Sequence, residues 1–242
     1  MKRMTPIDEP LPPAREPRVP FPHEILVSDP TVPLPLGALC GAAPLEIEIG
    51  CGNGRFLANR AAKNQDTHYI GIERMLGRVR RLCRKAARLP AQNVHVLRLE
   101  AFYTFYYLLP EHRLRAVYVF FPDPWPKRRH QHHRLFSPLF LDALWMRLEM
   151  GGVVQIATDH QAYIEDVRKR FLASPRFREV LPMTRAEDEQ TDFEQLFLSQ
   201  GLPIEACAFQ SVAGDPIDLP PLTLDPDMLP REGVPREGGA EE

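Results

Sequence analysis

Five carboxylates fall where apolar runs of this sequence end. Glu48 lies at the end of LEIEI (45–49), Glu73 closes THYIGIE (67–73), Glu100 follows NVHVLRL (93–99), Asp123 follows LRAVYVFF (114–121) and Asp159 closes VVQIATD (153–159). An ionised carboxylate only accepts hydrogen bonds, so such a set suits a ligand rich in donors: an ammonium, ribose hydroxyls, an exocyclic amine. A single acid at a strand end is commonly a solvated loop residue. Three in succession beside the run Gly50-Cys51-Gly52-Asn53-Gly54 reverse that reading, because glycines at a strand-to-helix turn permit positive φ and let a ligand approach the backbone closely. A dinucleotide fingerprint would put its third glycine at position 55, where Arg55 stands; here Gly54 is the third, and Glu48 precedes the first. The pattern fits S-adenosylmethionine better than NAD, since a carboxylate can meet the cationic amino-acid end of the former and would sit badly beside a pyrophosphate. Glu73, 21 residues beyond Gly52, can accept both hydroxyls of an adenosine ribose and serves either cofactor, and Glu100 is positioned to reach the adenine.

The elements that must carry these residues alternate. Strands are expected at 45–49, 67–73, 93–99, 114–121 and 153–159, and helices at 54–63, 75–89, 101–109, 136–149 and 160–173. Gly151 and Gly152 read as the stop of the helix over 136–149. Strand–helix alternation at this spacing means an α/β fold, a mostly parallel, doubly wound sheet with helices on both faces, in which ligands sit at the carboxyl ends of the strands. Eleven of the 26 prolines lie in residues 1–44 and six more in 211–242, so the expected domain runs from 45 to 210 between a proline-rich N-terminal arm and an acidic proline-rich tail, both extended or disordered.

The net charge of −2 hides an asymmetry: residues 185–242 carry 14 acids and 3 bases, a net of −11, whereas residues 1–184 carry 27 bases and 18 acids, a net of +9. A basic body suits a polyanionic partner. No apolar run approaches the ~20 residues of a membrane span, and the first residues have no signal-peptide pattern, so a soluble, cytoplasmic protein is expected. Cys40, Cys51, Cys83 and Cys207 show no metal-ligand spacing and read as reduced thiols. The stretch FFPDPWPKRRH (120–130) stops a buried strand with Pro122, Pro124 and Pro126 and loads its exit with positive charge. His130, His132 and His133 stand among Arg128, Arg129 and Arg134, whose repulsion argues against a metal, and base or phosphate contact fits them better. Trp125 reads as an anchor for the loop and Trp145 as core. The bases from Arg74 to Arg88 could equally be a solvated helix face or a phosphate-contacting one.

The order of Glu48, Glu73, Glu100 and Asp123, together with FFPDPWPKRRHQHHRLF, ATD at 157–159 and TDFE at 191–194, closely resembles the tRNA (guanine-N(7)-)-methyltransferase family over roughly residues 45–210. The resemblance implies a Rossmann-like class I methyltransferase fold and methyl transfer from S-adenosylmethionine to nitrogen seven of a variable-loop guanine in tRNA. It implies that Glu48, Glu73, Glu100 and Asp123 bind the cofactor beside Gly50, Gly52 and Gly54. By the same resemblance Lys127, Asp159, Thr191, Asp192, Phe193 and Glu194 bind the substrate, and Arg129, His130, Gln131, His132, His133 and Arg134 touch the RNA. The third acid is more usually Asp or Asn in the family, and Glu100 adds a methylene.

Nitrogen seven of neutral guanine carries a lone pair and no proton, so positioning matters more than a general base. Positive charge moves onto the purine, and Asp123 and Asp159 are the catalytic candidates to stabilise it, with Glu194 able to accept from the Watson–Crick edge. A methyltransferase of another substrate class, or a non-catalytic tRNA-binding protein, are the competing readings. The chain is expected to work on tRNA as a monomer, without a metal or a membrane.

Overall fold

A computed structural model describes residues 20–27, 29, 32–125 and 134–221. The chain runs β1 (Glu24–Ile25), α1 (Leu36–Cys40), β2 (Leu45–Ile49), α2 (Arg55–Lys63), β3 (His68–Ile72), α3 (Leu76–Ala86), β4 (Val94–Leu97) and α4 (Ala101–Tyr103). It continues through β5 (Leu114–Phe120), α5 (Pro138–Arg147), β6 (Leu148–Thr158), α6 (Gln161–Leu172), β7 (Phe177–Val180), α7 (Asp192–Ser199) and β8 (Glu205–Ser211). One eight-stranded sheet has the order β1-β4-β3-β2-β5-β6-β8-β7. Its first six members are parallel, while β8 runs antiparallel to both β6 and β7.

Alternation along the strands sorts side chains to two faces. Ile47, Ile49, Ile70, Ile72, Val117 and Val119 pack with Phe140, Leu144, Ile164 and Phe171 of α5 and α6. On the opposite face Tyr69, Val94 and Val96 meet Leu57 and Ala61 of α2 and Val79, Leu82 and Ala86 of α3. Both neighbours of β2 are parallel to it, with Ile49 beside Ile72 on one side and Val119 on the other. The chain steps outward from β2 to β3 and β4 and then returns to place β5 on the far side, so the sheet has its topological switch at β2/β5. Turns leaving the carboxyl ends of these two strands therefore open onto one crevice.

Four departures from the sequence expectation have physical causes. Residues before 45 are built into the sheet's flank: β1 pairs with β4, and Leu34, Leu36 and Cys40 are buried in the main core. The helix expected over 101–109 is one α-turn followed by a π-turn at Thr104–Leu108, whose carbonyls at Phe105 and Tyr106 accept from buried Arg147 at 2.7 and 2.8 Å. Gly151 and Gly152 do not stop a helix. The helix ends at Arg147, and the glycines lie in a bulge of β6, where a Cβ on Gly152 would stand 2.8 Å from the Leu114 carbonyl. The antiparallel pair β7/β8 and helix α7 were absent from the expected set. Among the described residues no helix is long and apolar enough to cross a membrane, and no group of three His, Cys, Asp or Glu side chains could hold a metal ion.

Candidate active site

The turn after β2 holds three glycines in the left-handed region, Gly50, Gly52 and Gly54, at φ of 70, 54 and 70°. Gly54 is required twice over: it caps α2 in that conformation, and a Cβ there would lie 2.3 Å from Cδ1 of Leu82, so its absence lets α2 close on α3. Gly52 differs, because its missing Cβ borders open space, with only the Gly50 carbonyl at 4.0 Å. The turn is braced by Glu73. One carboxylate oxygen accepts from the Gly52 amide at 3.1 Å, and the other accepts from the amides of Arg74 and Met75 at 2.8 and 2.9 Å. Arg78 adds its guanidinium 3.6 Å away. Glu48 is buried, and its Oε2 has no hydrogen-bond partner among the described residues. Burial, and then the charge of Glu73, hold its carboxyl well above the usual carboxylate range. A buried acceptor without a donor is costly in a native fold. Beside a glycine turn at the switch point, it fits a ligand that brings a cation or a hydroxyl. Glu100 follows β4 and caps α4, one oxygen accepting from the Tyr103 amide at 2.8 Å.

The proline loop leaves the carboxyl end of β5. Phe121 and Trp125 take positive φ, 53 and 41°, which is strained for residues with a Cβ. The Phe121 amide donates to the Ala157 carbonyl at 2.7 Å, and Arg134 braces the Trp125 end of the loop. Its Nε donates to the Pro124 carbonyl at 2.9 Å and its Nη1 to Asp166 of α6 at 2.9 Å, with the guanidinium 5.2 Å from the centre of the Tyr163 ring. Arg134, which the resemblance groups with the RNA-facing residues, has a side chain only 8% exposed that turns inward onto the loop and α6. Asp123, between the two strained residues, is exposed. Lys127, Arg129, His130, Gln131, His132 and His133 lie outside the described residues.

The TDFE segment begins α7. Thr191 and Glu194 form a capping box, the Thr191 hydroxyl accepting from the Glu194 amide at 3.0 Å. Both oxygens of Glu194 also accept from the guanidinium fork of Arg185, at 2.9 and 2.7 Å, and that guanidinium lies 4.3 Å from the centre of the Phe120 ring. Glu194 is therefore buried, with both carboxylate oxygens engaged by Arg185. Asp192 and Phe193 are the exposed members of the motif. Asp192 accepts from Asn53 Nδ2 at 3.0 Å, which joins α7 to the glycine turn. The preceding residues are seated on α2: Arg55 donates to the Gln190 carbonyl at 3.1 Å, Lys63 pairs with Asp188 at 2.7 Å and Arg60 lies 3.6 Å from Glu189. Asp159 is exposed at the end of β6 and lines an open depression of about 430 Å³ with His160 and Glu165.

A family model described as putative methyltransferase matches residues 42–207. The tRNA (guanine-N(7)-)-methyltransferase of Alkalilimnicola ehrlichii is 35% identical over 165 residues, covering 66% of this chain and 69% of that protein. The protein of the same name from Azorhizobium caulinodans is 35% identical over 170 residues, covering 70% and 73%. This chain belongs to the tRNA (guanine-N(7)-)-methyltransferase family. With the family member of Thermotoga maritima the identity is 34% over 174 residues, and the chain spans 56% of that protein's length. Among solved structures, the 16S rRNA methyltransferase KamB superposes with a TM-score of 0.56 at 15% identity, over 74% of this chain and 93% of that one. An antibiotic-resistance methyltransferase, Kmr, gives 0.50 at 20% identity, over 74% and 92%. Likeness at that level concerns the fold alone, which is the Rossmann-like class I methyltransferase fold. Within this family member, Asn53, Arg185 and the α2 side chains Arg55 and Arg60 are site-building residues that sequence reasoning missed. Asn53 was signalled by its place inside the glycine run; Arg185 had no local signal.

Proposed function

We propose that the chain transfers a methyl group from S-adenosylmethionine to ring nitrogen seven of a variable-loop guanine in tRNA, acting in the cytoplasm as a monomer. The observation that carries this reading is the buried, donorless oxygen of Glu48 beside the open left-handed turn at Gly52, at the switch point of a family fold. When bound, S-adenosylmethionine supplies an electrophilic methyl group on a sulfonium. Glu48 accepts from its ammonium group. Glu73 keeps unused lone pairs for ribose hydroxyls while its amide contacts hold the turn open. Glu100 contributes toward the adenine with the oxygen its cap does not use, and Asp123 borders the donor from the neighbouring strand.

The acceptor nitrogen needs no proton removed, so the protein's work is orientation and electrostatics. Asp123 and Asp159 follow adjacent parallel strands, and their exposed carboxylates stabilise the charge that develops on the purine. Thr191, Asp192 and Phe193 border the acceptor, with Glu194 holding their helix in place. Lys127 and residues 129–133 lead to the RNA. The test is incubation with labelled S-adenosylmethionine and unmodified tRNA, followed by chain cleavage at methylated guanine. Label at one variable-loop guanine is expected, reduced at least tenfold in Asp159→Asn. Label transferred to protein or small molecules and none to tRNA would overturn the reading.

A further inference from the structure

The outward face of α3 carries charge that the fold does not neutralise. Residues 74–88 hold seven bases and no acid. Three of them are occupied: Arg78 lies near Glu73, Arg80 stacks 5.2 Å from the centre of the Phe21 ring, and Arg81 donates to Asn53 Oδ1 at 2.9 Å. The side chains of Arg84, Lys85 and Arg88 make no ion pair or hydrogen bond among the described residues. Positions 81, 84 and 85 share one face of α3 and Arg88 follows in the turn beyond its end; with Asn53 and Asp192 the four line an open depression of about 360 Å³. The helix dipole favours cations at this end, but it offers about half a charge against four whole ones. The single acid in the depression, Asp192, is already held by Asn53.

We infer that this groove is a phosphate track that receives the RNA sugar–phosphate backbone next to the acceptor nucleotide. The inference rests on the proposed function for its partner and extends it to a surface. Asn53 belongs both to the glycine turn and to the groove wall, so RNA lying on α3 arrives beside the cofactor end of the site. From Arg81 to Ala86 the helix rises about 7.5 Å, and Arg88 follows in the turn just past its end. A nucleic-acid strand carries about one charge per 3.4 Å of helix axis, so the face matches two or three consecutive phosphates. No aromatic side chain lines the groove, which leaves no platform for base stacking. The contact is therefore independent of sequence and fixes register while the reading of the guanine happens elsewhere.

The test uses the full chain carrying Arg84→Ala and Arg88→Ala together, with Arg84→Lys and Arg88→Lys as the charge-preserving control. Binding of tRNA is measured across a salt series, with cofactor binding by calorimetry and methyl transfer in parallel. The expected result is a log–log salt slope shallower by about 1.4 to 1.8 for the alanine pair, from about 0.7 to 0.9 per lost contact. The lysine pair should keep the original slope, and cofactor affinity should not change. An unchanged slope in the alanine pair overturns the track, as does poly-glutamate competing as well as tRNA at equal charge. A wild-type protein that binds RNA with the predicted slope but methylates no guanine overturns the proposed function and leaves the track standing. Wild type that binds no RNA removes both.

Discussion

Asn53 Nδ2 donates to Asp192 Oδ2 at 3.0 Å, joining the glycine turn after β2 to the first residue of α7 across 139 positions of sequence. The same amide accepts from Arg81 at 2.9 Å through its oxygen, so one side chain ties three elements around the candidate site. Asn53→Ala should leave the core intact, since an exposed hydrogen bond contributes about 1 kcal/mol or less, and should lower the melting temperature only slightly. The larger effect should fall on turnover, because α7 loses its register against the turn. A drop in kcat of about tenfold with near-normal thermal stability is expected; full turnover would show that this link does not position the acceptor side.

Arg134→Ala should behave differently. The arginine is buried, bonds the Pro124 carbonyl and pairs with Asp166, which also receives Arg170 at 2.9 Å. Removing it frees the strained backbone at Trp125 and empties a space beside Tyr163. A loss of about 2 to 4 kcal/mol in unfolding free energy is expected, read by urea denaturation, with a slower methyl transfer that Arg134→Lys does not rescue. Were Arg134 an RNA contact instead, tRNA affinity would fall while stability held.

The contrast between Asn53 and Arg134 shows where the sequence was legible. Glu48, the glycine run and Glu73 lie within 26 residues, and their spacing around two strands reports directly on one turn. Parallel strands β2 to β6 were legible for the same reason, since period and burial are local signals. Arg134 reads as one more cation in RHQHHR, and Asp166 and Tyr163 of α6, about 30 residues away, together with the Pro124 carbonyl turn it inward. Glu194 reads as a free carboxylate until Arg185 is brought beside it. Strand β8 lacks a parallel crossover before it and earns its place by pairing with β6, where Ile156 meets Cys207. Gly151 and Gly152 match a helix stop as well as a bulge, and the approach of the Leu114 carbonyl decides between them.

The buried pair of Arg185 and Glu194 makes a sharper test of what the TDFE motif is for. Glu194→Ala leaves a guanidinium without its partner in a site where both side chains are under 9% exposed. Breaking such a pair typically costs about 3 to 5 kcal/mol, so thermal unfolding should shift down before any assay of turnover is interpretable. The double variant Arg185→Met, Glu194→Leu should recover more than half of that loss, because no charge is left buried. A single Glu194 variant with normal stability and abolished methyl transfer would instead assign this residue to the acceptor site.

The edge of the sheet away from the site should set the acid limit of the protein. His95 of β4 stacks on His68 of β3 at 5.8 Å, with His23 6.2 Å from it, and His95 Nε2 and His68 Nδ1 have no partner among the described residues. Burial, then the charges of His68 and His23, push the His95 imidazole down to about 4, and burial with Arg113 lowers His68 as well. The folded state thus holds His95 neutral while the unfolded chain takes a proton near the ordinary value of 6.5. Below that value the unfolded state binds more protons than the native one, so stability present above pH 6.5 declines as pH falls toward about 4 and levels off beneath it. The slope for one group cannot exceed about 1.4 kcal/mol per pH unit and is smaller here because the ring is partly open to solvent. His95→Gln should flatten the dependence between pH 6.5 and 5, where most carboxylates are still ionised. Parallel stability curves for the two proteins over that window would show that the histidine stack carries none of the acid sensitivity.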